Sequence, residues 1–283
     1  MNIGIVGLGL IGGSLGLDLR ALGHQVLGVS RQEQTCHRAI ERGVVDDASV
    51  NLALLAAAEV IFVCTPIGAI ASTVQQLIPH LAQDTVITDV GSVKTVVVEE
   101  VTPLWHNFVG GHPMAGTADS GIEAAISGLF ASNPYVLTPT ETTPPSAVKI
   151  VEEIVRSLRS RIYFCRPEDH DRAVAWISHL PVMVSASLID ACMSETDSTV
   201  LELAQQLASS GFRDTSRVGG GNPELGVMMA RYNRECLLRS LVSYRHRLDG
   251  FIELLEQEDW QNLETKLLQT QLQRPQFFSA LKD

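Results

Sequence analysis

The sequence predicts an α/β protein in which a doubly wound sheet over residues 1–165 is followed by an all-α domain over residues 166–283. Three observations lead to this prediction. A glycine-rich turn follows a short apolar run at the N-terminus, strand-like and helix-like segments alternate up to about residue 165, and only helical periodicity continues beyond it. Alternating strands and helices are typical of a mainly parallel sheet with helices on both faces.

Short runs rich in β-branched residues mark the strands. We expect them at residues 3–6, 25–30, 60–65, 85–89, 107–110, 135–138 and 162–165. Helical periodicity separates them at residues 14–22, 33–42, 69–81 and 148–160. Ligands of such sheets bind outside the carboxyl ends of the strands. The loops to search are therefore those after Val6, Val29, Cys64, Asp89 and Gly110.

The second half begins with one helical stretch over residues 171–192, which Pro181 is expected to kink beside His179. The kink is either purely architectural or serves to place a functional histidine. Asp197 can cap the next helix, and Gly211 would follow its end.

The remaining segments are a loop and two helices. The loop is predicted over residues 212–222, and Asn222 with Pro223 would cap and start a long helix. A short amphipathic helix from residue 260 is expected to end near Pro275.

The N-terminal turn Gly7-Leu8-Gly9-Leu10-Ile11-Gly12 predicts a Rossmann-type dinucleotide site, because a strand precedes it and a helix follows it. Gly7 permits the tight turn, Gly9 lets the backbone approach a pyrophosphate, and Gly12 lets the helix pack closely. The first helical N–H groups, around Leu10 and Ile11, would face the phosphates. A glycine-rich turn without a ligand is the alternative.

The residues after the second strand predict the cofactor. An NAD enzyme usually carries Asp or Glu there, whereas this chain has Ser30 and Arg31. A hydroxyl and a guanidinium can bind a 2′-phosphate, which a carboxylate would repel. We therefore expect NADP, with dual specificity or an ordinary exposed arginine as alternatives. Thr65, Pro66 and Gly91, at the ends of the next strands, complete the predicted cofactor contacts.

Charge and composition exclude several classes of function. A net charge of −11 argues against a nucleic-acid partner, although local cations still allow an anionic small-molecule substrate. The five cysteines form no CxxC pair, which indicates reduced thiols and no metal site. The first strand begins too close to Met1 for a signal peptide, and no apolar run is long enough to span a membrane. We expect a cytoplasmic protein.

His112 is the candidate catalytic residue, because it lies just beyond the fifth strand and should project toward the nicotinamide. Histidine titrates near neutral pH, which suits a group that accepts a hydroxyl proton while a hydride leaves the same carbon. Ser92, beyond the preceding strand, can cap the next helix or orient a neighbouring side chain. His170 can cap the helix that begins near Pro167.

Five motifs, taken in order, resemble those of prephenate/arogenate (cyclohexadienyl) dehydrogenases, and most of all arogenate dehydrogenases. They are the glycine turn, DVGSVK at 89–94, HPMAG at 112–116, SHLP at 178–181 and SR at 216–217. The resemblance implies an NADP-dependent oxidative decarboxylation that yields tyrosine. A hydride would leave the ring carbon bearing the hydroxyl, carbon dioxide would leave the opposite ring position, and aromatisation would drive the reaction.

The resemblance also implies roles for individual residues. His112 would hydrogen-bond the ring hydroxyl and take its proton, and Ser92 would orient that histidine. His179 would be a second pocket histidine, Arg217 would bind a substrate carboxylate, and Thr117 would contact the substrate. Arg217 has independent support, since an acidic protein that binds a dicarboxylate needs a cation and arginine binds carboxylates bidentately. A helix cap or an interface salt bridge is its alternative role.

Two departures bear on the substrate. Some prephenate-using members carry a histidine where this chain has Val182, and some carry an acidic residue where it has Ala118. These changes favour arogenate and leave prephenate as the alternative. A β-hydroxyacid dehydrogenase would need a catalytic lysine in the helical half, and residues 171–192 contain none. A non-catalytic NADP sensor would have no reason to keep His112.

A stripe of apolar residues in the helical half predicts a homodimer. Its members, spaced by three and four residues, are Leu237, Leu241, Tyr244, Leu248, Phe251 and Leu255. Such a stripe is usually buried, either within the chain or against a second copy.

Overall fold

The structure, a computed structural model, describes residues 1–117 and 119–278. Within these ranges eight strands form a single sheet. They are β1 (Asn2–Val6), β2 (Gln25–Val29), β3 (Asp47–Ser49), β4 (Val60–Val63), β5 (Val86–Asp89), β6 (Phe108–Pro113), β7 (Pro134–Thr138) and β8 (Arg161–Phe164). The short strand β3 was not predicted, and β6 extends further than predicted, so that it includes His112.

The strand order is β3-β2-β1-β4-β5-β6-β7-β8. Every neighbouring pair is parallel except β6 and β7, which are antiparallel, with His112 opposite Val136. β1 and β4 are neighbours in the sheet. From β1 the chain adds β2 and β3 on one side, and from β4 it adds β5 and β6 on the other side, so the direction of strand addition reverses between β1 and β4. This is the topological switch point at which such sheets bind ligands. The predicted α/β class with a doubly wound sheet is confirmed.

The central strands β1, β4, β5 and β6 are buried on both faces, which explains their near-continuous apolar sequences. Because side chains alternate along a strand, Ile5 and Phe62 belong to one apolar cluster, while Ile61 and Val63 belong to the other. Both clusters are closed by helices. In the first half these are α1 (Leu10–Ala21), α2 (Glu33–Glu41), α3 (Ile70–Leu77), α4 (Thr95–Val101) and α5 (Pro145–Ser157).

The rest of the described chain is helical. Its helices are α6 (Pro167–Val174), α7 (Leu180–Met193), α8 (Ser198–Leu207), α9 (Ser210–Ser216), α10 (Pro223–Tyr232), α11 (Arg234–Glu256) and α12 (Trp260–Gln273). By compactness the chain divides into Met1–Arg234 and Glu235–Asp283. The substrate domain predicted to begin at residue 166 remains a prediction.

Several expectations for this half were wrong in detail. The irregularity beside His179 is a π-helical turn, Ala175–His179, between α6 and α7. Gly211 lies inside α9, and the predicted loop over 212–222 is mostly helical. The long helix from Pro223 is two helices, because the buried Asn233 breaks the helical backbone between them.

One helical run among the described residues, Pro167–Met193, is long and apolar enough to span a membrane, with a mean hydropathy of 1.4. Of that apolar window, 28% is buried among the described residues, and a core helix of a soluble protein can meet the same criterion of length and composition. This run holds the buried polar residues His170, Asp171 and His179, whose side chains bond to neighbouring elements of the same unit. The absence of a membrane partner remains a prediction.

Candidate active site

The glycine turn leaves space where a pyrophosphate would approach. Gly7 has φ +99, a conformation that favours glycine, and a Cβ there would lie 2.6 Å from the carbonyl oxygen of Cys64. A Cβ on Gly12 would collide with the carbonyl oxygen of Gly7. A Cβ on Gly9, by contrast, would meet nothing within 4 Å. Gly9 precedes α1 without a side-chain cap, so the helix begins with free N–H groups at Leu10 and Ile11.

The other predicted cofactor residues lie at neighbouring strand ends. Ser30 follows β2 and accepts a 3.4 Å hydrogen bond from the N–H of Gln32. Arg31 is exposed, and its guanidinium has no ion-pair partner among the described residues. The Oγ1 of Thr65, beside Pro66, is buried and has no hydrogen-bond partner within residues 1–117 and 119–278. These are groups that a dinucleotide can satisfy, and the site fits such a cofactor.

A buried ion pair fixes the loops around the candidate base. The Nζ of Lys94 donates to Oδ2 of Asp89 and, at 2.7 Å, to the carbonyl oxygen of Gly111. Asp89 in turn accepts N–H groups from Gly91 at 2.8 Å and from Gly111 at 3.1 Å. Burial lowers the pKa of Lys94, and Asp89 opposes that shift. The pair therefore ties the loop after β5 to the strand residue that precedes His112.

His112 is 7% exposed and begins a chain of buried hydrogen bonds. Its Nδ1 lies 2.8 Å from Nε2 of His170, and Nδ1 of His170 lies 2.8 Å from Oδ1 of Asp171. The Asp171 carboxylate also accepts the N–H groups of Lys94 at 2.7 Å and Thr95 at 2.8 Å. Asp171 thus caps α4 from a different helix, and it anchors His170, which in turn orients His112.

Electrostatics set the charge of His112 and of Asp171, at the two ends of these hydrogen bonds. Burial lowers the pKa of His112 well below its ordinary value, and the nearby His170, Lys94 and His179 lower it further. Burial tends to raise the pKa of Asp171, but its hydrogen bonds from His170, Thr95 and Lys94 outweigh burial and lower it. His112 is therefore a neutral ring, and Asp171 is a carboxylate, at neutral pH.

Two earlier interpretations need correction here. His170 makes no capping bond to its own helix; it bonds to His112 instead. Ser92, expected to orient His112 or to cap α4, does neither. Its Oγ is buried with no hydrogen-bond partner in the described part of the chain, and the N-cap residue of α4, Lys94, makes no side-chain capping bond. An unmet buried hydroxyl costs about 1–3 kcal/mol, so Ser92 remains a candidate ligand contact.

His179 is completely buried, at the end of the π-helical turn. The Nδ2 of Asn233 donates to the carbonyl oxygen of Asp171 at 2.7 Å and lies 3.2 Å from Nδ1 of His179. The Nε2 of His179 has no hydrogen-bond partner among the described residues. Burial lowers the pKa of His179 to about 4, although Asp171 opposes the shift. The sequence did not predict that His170, Asp171 and Asn233 belong to this site.

The predicted substrate contacts Arg217 and Thr117 are exposed. Arg217 begins the short helical turn Arg217–Gly220, and its guanidinium has no ion-pair partner in the described part of the chain. The structure records no bond between Arg217 and either pocket histidine. Thr117 accepts a 3.2 Å bond from the N–H of Asp119. Ala118 lies outside the described residues.

A model described as prephenate dehydrogenase, nucleotide-binding domain, matches residues 15–164, and one described as prephenate dehydrogenase, dimerization domain, matches residues 166–269. The chain belongs to the prephenate dehydrogenase family. It is therefore an oxidoreductase whose first domain binds a nicotinamide dinucleotide, as the glycine turn predicted.

Relatives of this prephenate dehydrogenase family member cover nearly all of the chain. Prephenate dehydrogenase of Bacillus subtilis (strain 168) is 31% identical over 266 residues, which are 92% of this chain and 71% of that protein. The crystal structure of Synechocystis arogenate dehydrogenase is 56% identical with a TM-score of 0.88, covering 98% of this chain and 100% of that one. Prephenate dehydrogenase from A. aeolicus, in complex with hydroxyphenyl propionate and NAD+, is 26% identical with a TM-score of 0.92, covering 98% of each chain.

Proposed function

We propose that the protein oxidatively decarboxylates arogenate to tyrosine with NADP as the preferred hydride acceptor. The observation that carries this proposal is the buried neutral imidazole of His112, held near the carboxyl end of β6 by its bond to His170. The 56% identity to Synechocystis arogenate dehydrogenase supports the choice of substrate. Val182, in place of the histidine found in some prephenate-using members, supports it as well.

The chain's own residues would divide the work as follows. A bound nicotinamide supplies the hydride acceptor. His112 takes the proton of the ring hydroxyl, because a ring with a lowered pKa is neutral and ready to accept. The unpartnered groups of Ser92 and His179 bind polar atoms of the ligands, and Arg217 binds a carboxylate. Thr117 contacts the substrate from the loop after β6.

NADP preference would depend on Arg31. Its exposed guanidinium has no protein partner among the residues described, and no carboxylate occupies the end of β2. We expect Arg31→Ala to raise the KM for NADP by roughly 10-fold to 100-fold, the value of one or two charge-assisted hydrogen bonds, with little effect on NAD. Arg156→Ala, which removes an exposed arginine of α5, is the matched control. An equal rise in the KM for NADP and for NAD would contradict a preference for NADP that depends on Arg31.

Prephenate is the second candidate substrate, because prephenate dehydrogenase of Bacillus subtilis aligns over 92% of the chain. Cofactor reduction measured side by side with arogenate and prephenate distinguishes the two. We expect the larger kcat/KM with arogenate, and its loss in His112→Asn. A larger value with prephenate would reverse the substrate, and no turnover of either would reject the proposed function.

We further propose a homodimer that acts in the cytoplasm. Support for the dimer comes from the match of residues 166–269 to a domain named for dimerization. It also comes from α11, where Leu248 is 48% exposed and Leu255 is 52% exposed.

A further inference from the structure

Asp171 stands at the junction of two hydrogen-bonded branches. Its carboxylate bonds to His170, which leads to His112, and its backbone carbonyl accepts from Asn233, which leads to His179. A carboxylate and a carbonyl oxygen can only accept hydrogen bonds. The direction of every bond further along both branches follows from that constraint.

The first branch leaves His112 with an acceptor. Because Asp171 accepts, Nδ1 of His170 must carry a proton, and a His170 ring that holds only this proton presents an unprotonated Nε2. That Nε2 accepts from Nδ1 of His112, which must therefore be protonated. The remaining nitrogen of His112, Nε2, is an acceptor with no bond to the described protein.

The second branch leaves His179 with a donor. The carbonyl oxygen of Asp171 fixes the amide of Asn233 with its Nδ2 inward. The second proton of that nitrogen faces Nδ1 of His179, which must accept it. A neutral His179 therefore carries its proton on Nε2, the buried atom that lacks a partner.

We propose that Asp171, acting through His170 and Asn233, fixes His112 and His179 in opposite tautomers, so that one pocket histidine accepts a proton and the other donates a hydrogen bond. This inference rests on the proposed function, in which a hydroxyl proton must be accepted and an oxygen must be bound. His170, Asp171 and Asn233 are positioning residues, because each acts through a histidine.

The same branch can store the proton. The ring hydroxyl passes its proton to Nε2 of His112, whose Nδ1 proton moves to Nε2 of His170, and the resulting imidazolium lies against the Asp171 carboxylate. Loss of the hydride converts the ring carbinol to a carbonyl. The carboxylate then leaves as carbon dioxide, and the electron pair of the broken carbon–carbon bond stays in the ring. The ring oxygen then carries the negative charge of a phenolate. Reversal of the two proton shifts returns the proton to that oxygen, so no proton is gained or lost overall.

Nitrogen–proton correlation spectra of histidine-labelled protein test the tautomers directly, since the two neutral forms have distinct nitrogen shifts. We expect His112 protonated on Nδ1 and His179 protonated on Nε2 at neutral pH. The opposite form of either ring, or an equal mixture, would overturn the inference. This test uses the wild-type protein and needs no activity. If it succeeds while neither substrate turns over, the proposed function fails alone.

Two variants of His170 separate positioning from proton storage. His170→Gln keeps an acceptor for His112 but cannot take up a proton, so we expect an unchanged His112 tautomer and a kcat roughly 10-fold to 100-fold lower, with KM within about 3-fold. His170→Leu also removes the acceptor, so the Nδ1 proton of His112 is no longer held in place, and kcat should fall further. His37→Gln, an exposed histidine of α2, is the control. Wild-type kcat in His170→Gln would exclude the proton store.

Discussion

Lys94 and Asp89 form an ion pair with no exposed side-chain surface, directly behind the residue that precedes His112. Each charge there has given up its hydration. Removal of one partner from such a pair leaves the other charge buried and unpaired, which costs about 3–5 kcal/mol. Asp89 accepts hydrogen bonds from the N–H groups of Gly91 and Gly111, and these two bonds offset only part of that free-energy cost.

We therefore expect Lys94→Met to lower the free energy of unfolding by about 3–5 kcal/mol. It should also lower kcat, because the carbonyl of Gly111 loses its donor. Lys149→Met is the matched control, since that side chain is 76% exposed, and a change within about 0.5 kcal/mol is expected. Urea unfolding measures both variants. Equal stabilities would mean that the buried charge of Lys94 contributes nothing.

Protonation of His179 couples to folding. Burial lowers its pKa from 6.5 to about 4, so between those values the unfolded chain binds a proton that the folded chain does not. The contribution to stability is complete above pH 6.5 and is lost as the pH falls toward about 4. We expect the urea midpoint of the wild type to fall more steeply across this window than that of His179→Gln. Parallel curves would contradict the assignment.

At the residue scale, the candidate base was predictable and its partners were not. His112 stands out in the sequence because a histidine at the carboxyl end of a strand in such a sheet can face the nicotinamide and act as a general base. His170 and Asp171 look like ordinary polar residues near the start of a helix, where polar side chains are common. Only the position of α6 beside α4 shows that they serve His112.

At the element scale, the turn Arg217–Gly220 is held against α7. Ser185 donates its hydroxyl to the carbonyl oxygen of Thr215, just before the turn. A Cβ on Gly219 would collide with the backbone N of Ala186 and lie 2.5 Å from the backbone carbon of Ser185. A Cβ on Gly220 would meet nothing within 4 Å. Two adjacent glycines therefore differ sharply in what they tolerate.

We expect Gly219→Ala to move the turn away from α7 and to displace Arg217 with it. Since Arg217 is proposed to bind a carboxylate rather than to react, the KM for the substrate should rise by roughly 10-fold or more with a smaller change in kcat. Gly220→Ala should leave both constants within about 2-fold, because its added methyl group has open space. Steady-state kinetics checks the pair, and matching values for the two variants would refute the displacement.

The elements around the kink show why boundaries in the helical half were misplaced. Pro181 indicated a kink, but the irregularity is the π-helical turn before it, Ala175–His179. Periodicity alone predicts one continuous helix, whereas the non-helical backbone of Asn233 separates α10 from α11. In both places a buried side chain takes part in hydrogen bonds with a distant element, and local patterns carry no record of such bonds.

At the scale of the whole molecule, the sequence predicts the class of sheet but not the reversal of strand direction between β6 and β7. Strand and helix alternation predicts parallel pairing, which holds from β3 to β6. The antiparallel pairing of β6 with β7 reverses the last two strands. Because β8 then enters α6 from the other direction, the helix passes beside α4 and brings His170 to His112. The relay follows from a pairing that apolar patterns do not encode.

The apolar stripe of α11 belongs to the same scale, since it concerns what one copy leaves uncovered. Within the second unit, Lys266 of α12 lies 4.4 Å from the ring of Phe251 and covers part of the stripe. Leu237 is buried, whereas Tyr244, Leu248 and Leu255 remain exposed. Internal packing therefore accounts for some of the stripe, and an interface with a second copy would account for the rest.

We expect sedimentation at micromolar protein to give twice the chain mass of 30.7 kDa. Leu248→Arg should shift the protein toward monomer, because a charge at a buried contact loses its hydration without gaining a partner. Arg247→Glu tests whether a change of charge on the neighbouring position has the same effect, and it should leave the mass doubled. Far-ultraviolet circular dichroism controls for folding of each variant. Wild-type protein that sediments as a monomer at every concentration would refute the dimer, and the exposed leucines would then need another partner.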